Sequence, residues 1–114
     1  MSLIRVDNFG PSAGGTTYSA RGIAKAWVNF DQTVPQVDDS MNVASVTDSG
    51  AGDMTINFSS SMGAATFGAT CGALTYNVAV NTITTTGSRM LSYNSAGTLT
   101  DYSFVGYSNF GDLA

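Results

Sequence analysis

Histidine and glutamate are absent from this chain of 114 residues, and cysteine and lysine occur once each, as Cys71 and Lys25. Without histidine no Ser-His-Asp or Cys-His pair can form, and the commonest general base near neutral pH is missing. A single cysteine excludes an intrachain disulfide and cysteine-based zinc sites, and Cys71 in its apolar stretch is expected to be buried and inert. Surface helices draw on Glu, Lys, Gln and Arg, so a chain almost stripped of these leaves little material for exposed helical faces, and negligible helix is expected. Arg5, Arg21, Lys25 and Arg89 stand against eight aspartates, for a net charge of −4. No basic stripe exists to neutralise phosphates, which argues against nucleic acid as a partner. No apolar run reaches the ~18 residues of a membrane span, and MSLIRVDNFG lacks the basic-then-apolar pattern of a conventional export signal.

What remains is rich in Ser, Thr, Gly and Asn, a composition of strands and turns. Residues 1–21, with Gly10, Pro11, Gly14 and Gly15, read as an extended N-terminal arm, and residues 22–114 as a single domain. Ala24, Ala26, Val28 and Phe30 alternate with Lys25, Trp27 and Asn29, the period of a two-faced strand that ends at Asp31, Gln32 and Thr33 before Pro35. In NVASVTDSGAGDMTINF two alternating runs flank Ser49 to Gly52, predicting a hairpin that pairs 43–48 with 53–58, with Gly50 and Gly52 at positive φ. Further strands are expected around Ala65 to Ala69, Leu74 to Val80, Arg89 to Tyr93 and Tyr102 to Phe110, with a turn over Asn94 to Gly97. Six to eight short strands close most naturally as an antiparallel β-sandwich, jelly-roll or immunoglobulin-like, because one sheet cannot bury both sets of faces.

The carboxylates suggest little chemistry. Two aspartates at the right separation could cleave a glycosidic bond, but Asp38 and Asp39 are neighbours and read as a solvated turn. Asp48 and Asp53 bracket the hairpin loop without the ligand ladder of a calcium site, and turn chemistry is favoured. Gly14 and Gly15 lack the Lys-Ser or Lys-Thr pair of a phosphate loop, and the Asn57-Phe58-Ser59 sequon matters only in a secretory pathway. No catalytic, metal or cofactor-binding residues are assigned. The aromatics carry more weight. Trp27 reads equally well as core or as the cap of an interface, and Tyr18, Tyr93, Tyr102 and Tyr107 as sugar-stacking or subunit-contact residues. Apolar residues on both faces of a strand, such as Trp27 opposite Val28, or Val105 and Tyr107 opposite Phe104, point to a surplus that subunit association would cover. Trp27, Lys25, Tyr18, Tyr107 and Val105 are therefore the interface candidates.

The strings AKAWVNFD at 24–31 and MNVASVTDSGAGDMTINFSSSM at 41–62 resemble a domain that recurs in tailed-phage and prophage virion proteins of the tail-fibre-like kind. The resemblance extends to RVDNFGPSAGG at 5–15, similar to a leader, and to SYNSAGTLTDYSFV at 92–105, similar to a closing hairpin. It implies a β-rich, non-catalytic homotrimer on the virion surface, assembled in the host cytoplasm against other capsid or tail proteins. Because no shaft-like region follows the domain, a compact particle ornament is expected, such as a capsid decoration protein or short head or tail appendage. A receptor-binding tip that stacks a host glycan on Trp27 or the tyrosines is the alternative, and a glycan-degrading enzyme using aspartates is a third reading.

Overall fold

A computed structural model describes residues 8–10, 13–16, 18–19, 23–74 and 77–114, with backbone alone for Phe9, Tyr18 and Ser19. Ten strands follow in chain order: β1 (Asn8–Phe9), β2 (Tyr18–Ser19), β3 (Ala24–Asp31), β4 (Gln36–Met41), β5 (Val43–Gly50), β6 (Asp53–Phe58), β7 (Gly68–Ala73), β8 (Asn77–Thr84), β9 (Gly87–Tyr93) and β10 (Val105–Phe110). No helix occurs among the described residues. Two four-stranded antiparallel sheets, sheet I in the order β4-β3-β10-β7 and sheet II in the order β5-β6-β9-β8, pack face to face as a β-sandwich. β1 and β2 form a small antiparallel pair of their own. Most of the expected arm lies outside the described residues.

The four central strands carry the strictest alternation. Ala26, Val28 and Phe30 of β3 and Val105 and Tyr107 of β10 face Met54, Ile56 and Phe58 of β6 and Met90 of β9, and Met62 and Phe67 close the end of this core. Phe58 meets Phe67 edge to face at 5.9 Å and stacks on Tyr107 at 6.4 Å between ring centroids. Three polar side chains inside are tied into one chain of contacts: the Ser88 and Tyr107 hydroxyls lie 2.7 Å apart, and Asn109 Nδ2 donates to the Tyr107 hydroxyl at 3.3 Å. Gln32, also buried, accepts the Tyr102 backbone N–H at 2.9 Å through Oε1, while its own N–H donates to the Tyr102 carbonyl at 2.9 Å.

The expected hairpin is present: β5 pairs with β6 from Val43↔Phe58 to Gly50↔Asp53, and Gly50 and Gly52 have φ of 135° and 63°. Other expectations shift. Asp38 and Asp39 do not form a turn; they lie in edge strand β4, where Asn29 pairs with Asp39 and Phe30 with Val37, leaving Asp38 as the extra residue of a bulge. Aspartate is a poor strand former in isolation, but on a bulged edge its charge is solvated and discourages further pairing. The run Leu74 to Val80 is not one strand: β7 ends at Ala73, Leu74 stands 70% exposed at the crossover, and β8 continues to Thr84 in the other sheet. The 92–105 segment begins as a short hairpin, with Tyr93 bridging Leu99 antiparallel around the turn, and then crosses to sheet I, where β10 begins at Val105. At the opposite crossing Asn42 takes φ 55°, and its side chain bonds Ser60 twice, accepting from N–H at 2.7 Å and donating to the carbonyl at 3.1 Å.

Candidate binding face

Because Ala26, Val28 and Phe30 point inward, Trp27 and Asn29 of β3 point to the outer face of sheet I. The register then fixes their neighbours. One row across the sheet runs Met41, Trp27, Ser108, Thr70; the next runs Asp39, Asn29, Gly106, Gly72. Two glycines side by side in adjacent strands remove the side chains from that stretch of surface. A methyl group on Gly106 would sit 3.6 Å from Asn29 Oδ1 and 3.8 Å from a Phe104 ring carbon, and one on Gly72 would meet nothing within 4 Å. The result is an open trough of about 480 Å³ with Gly72 and Gly106 as floor and Trp27, Asn29, Thr70, Leu74, Phe104 and Ser108 around it. The Thr70 and Ser108 hydroxyls bond each other at 2.8 Å, so the polar part of the wall is already organised. Leu74, Phe104, Phe110 and Met41 are all exposed.

The outer face of sheet II differs in chemistry. Ser45 and Thr47 accept from Asn57 Nδ2, each at 3.0 Å, and Thr55, Thr82 and Thr84 continue a hydroxyl-rich surface around Gly87. Arg89 there makes a two-pronged contact with Asp53 at 2.9 and 2.8 Å. That contact holds the Asp53 carboxyl below its ordinary range, chiefly through the hydrogen bond from Arg89. Asp48 accepts from the Gly50 N–H at 3.1 Å, which is turn chemistry, and Asp101 accepts from the Gly52 N–H at 2.7 Å. The Thr33 hydroxyl lowers the Asp31 pKa in the same local manner. Among the described residues no three metal-ligating side chains come together.

Of the interface candidates, Trp27 alone lies in the trough with its side chain turned outward. Lys25 falls at a bulge that the β3–β10 register skips, and its ammonium donates to the Ile23 carbonyl at 2.9 Å. Val105 and Tyr107 are corrected: they are 0% and 4% exposed, because their parity in β10 points them into the core, where Tyr107 reaches Ser88. The side chain of Tyr18 lies outside the described residues. Tyr93 and Tyr102 are joined by a bond from the Tyr102 hydroxyl to the Tyr93 carbonyl at 2.8 Å, away from the trough. Cys71, on the inner side of β7, is half-buried, and burial pushes its thiol pKa up. Gly72, Gly106 and Leu74 escaped sequence reasoning. Glycine inside a strand pattern, a mark of close approach or an open surface, was the available signal. No protein-family model, curated protein or solved structure matches the chain.

Proposed function

We propose that this chain is a non-enzymatic structural protein of a bacteriophage virion, a small homo-oligomeric surface component that works by contact with other virion proteins. The observation that carries the contact role is the outer face of sheet I, where Trp27, Phe104 and Leu74 border a glycine-floored trough with exposed Met41 and Phe110 nearby. Aromatic anchors around a shallow recess, with a pre-bonded polar rim at Thr70 and Ser108, are the arrangement that receives a side chain from a partner surface. The virion setting, as a capsid decoration protein or short head or tail appendage, rests on the resemblance of residues 24–31 and 41–62, which also implies a trimer.

The test is assembly. Trp27→Ser and Phe104→Ser leave the inward faces of β3 and β10 untouched, so both variants should fold yet be lost from purified particles. Incorporation of both at the parental level would overturn the contact role. A glycan-binding tip is the second reading, favoured because Trp27 and Phe104 stand beside Asn29, Thr70 and Ser108, which pairs stacking surfaces with hydrogen-bonding groups. Submillimolar binding of host surface polysaccharide, abolished by Trp27→Ser, would favour that reading instead.

A further inference from the structure

The two sides of the sandwich are built differently. On one, β4 and β5 carry Asp38, Asp39 and Asp48, and the ladders there shift register at Asn29/Phe30, Val43/Ser45 and Asp48/Gly50. Charge and bulges of this kind block edge pairing. On the other, β7 (GATCGA) and β8 (NVAVNTIT) carry no charged residue; the β7 ladder has no shift, and the β8 ladder has one, at Val80/Thr82. The core also thins more on this side: Ala69, Cys71 and Ala73 of β7 and Val78, Val80 and Ile83 of β8 pack on the core yet stay only partly buried, against Val43 and Val46 of β5 on the other side.

We infer that the β7/β8 side is where a second copy of this chain docks, each copy turning that side toward the symmetry axis. This rests on the homo-oligomer reading above and names its interface. A second copy is the occupant because the chain is acidic, with net charge −4. Two such chains approach with least repulsion through their uncharged sides, which keeps Asp38, Asp39 and Asp48 of each copy far from the other. The partly buried residues of both copies then cover one another, and β7, with small residues on both faces, admits a close neighbour along its free edge. Size sets the strength. Strands of this length in two sheets ~10 Å apart present on the order of 500 Å² in projection, against about 800 Å² per partner in a standard interface, so association is at the weak end unless Leu74 and Phe104 at the border join it.

The test is light scattering of the full chain across a micromolar concentration series. The parent should show mass rising above that of a monomer. Gly68→Lys and Ala79→Lys, both at exposed positions on β7 and β8 outside the trough, should be monomeric at every concentration with unchanged circular dichroism. Gln36→Lys, at an exposed position on β4, should associate like the parent. Two variants are used because either alone could disturb the fold. An oligomeric parent matched by oligomeric, folded Gly68→Lys and Ala79→Lys variants would refute this interface and leave the homo-oligomer reading standing. A monomeric parent would refute both.

Discussion

Replacing Gly52 with alanine puts a methyl group where the hairpin tip meets the 94–101 crossing. Its carbon would lie about 2.6 Å from Thr100 N and 3.0 Å from Thr100 O, and it would also collide with the Ser92 carbonyl. All three obstacles are backbone, which cannot rotate away. Three hydrogen bonds converge there: Ser92 N–H to the Gly52 carbonyl at 2.8 Å, Gly52 N–H to Asp101 at 2.7 Å and Thr100 N–H to the Ser92 carbonyl at 3.0 Å. A non-glycine residue at φ 63° costs about 1–2 kcal/mol. Stretching bonds worth about 0.5–1.5 kcal/mol each brings the loss to roughly 3–5 kcal/mol. Gly50 is the matched control, because at φ 135° it has nothing within 4 Å of the added carbon and carries only the conformational cost of about 1–3 kcal/mol. Urea denaturation followed by tryptophan fluorescence measures both variants, and melting should report the same order, at roughly 4 °C per kcal/mol. Equal losses, or a larger loss at Gly50, would refute the claim that the hairpin tip is clamped by the crossing.

Tyr107→Phe strands the Ser88 hydroxyl and Asn109 Nδ2 in the core and should cost about 1–3 kcal/mol by denaturant titration, whereas no measurable loss would mean the buried network is not formed. Asn42→Ala loses both bonds to Ser60 at a positive φ, so it should destabilise more than Asn42→Gly, which loses the bonds alone; the reverse order would contradict the corner's role. The Asp53 carboxyl titrates lower in the folded chain than in the unfolded one, so its pairing with Arg89 stabilises fully above the unfolded pKa and fades as pH falls through the folded value. Arg89→Gln should therefore narrow the stability difference between neutral and strongly acidic solution, and an unchanged pH profile would show that the pair contributes nothing.

The central strands were legible because burial on one face imposes a period of two: β3, β6 and β10 each write their inward residues into every second position. The β5–β6 hairpin was legible through Gly50 and Gly52, whose conformations side-chain-bearing residues rarely adopt. Edge strands were not. β4 reads as a turn because Asp38 and Asp39 answer to solvent and not to a core, and β7 is too rich in glycine and alanine to show a face. The crossings at Asn42 and after Ala73 were also hidden, since nothing local says which sheet a strand joins. For the site, Trp27 was found but its side of the sheet was undecided until Val28 and Phe30 were seen inside. Val105 and Tyr107 were assigned to an interface from apolar character alone, and cross-strand parity placed them in the core.

Cryo-electron microscopy of purified phage particles assembled with the chain supplied tests the proposed virion role most directly. The account predicts density for the sandwich at repeating positions on the head or tail surface, with the outer face of sheet I, at Trp27 and Phe104, seated against a neighbouring virion protein. A purified particle that lacks the chain, or one in which that face is open to solvent at every copy, would contradict it.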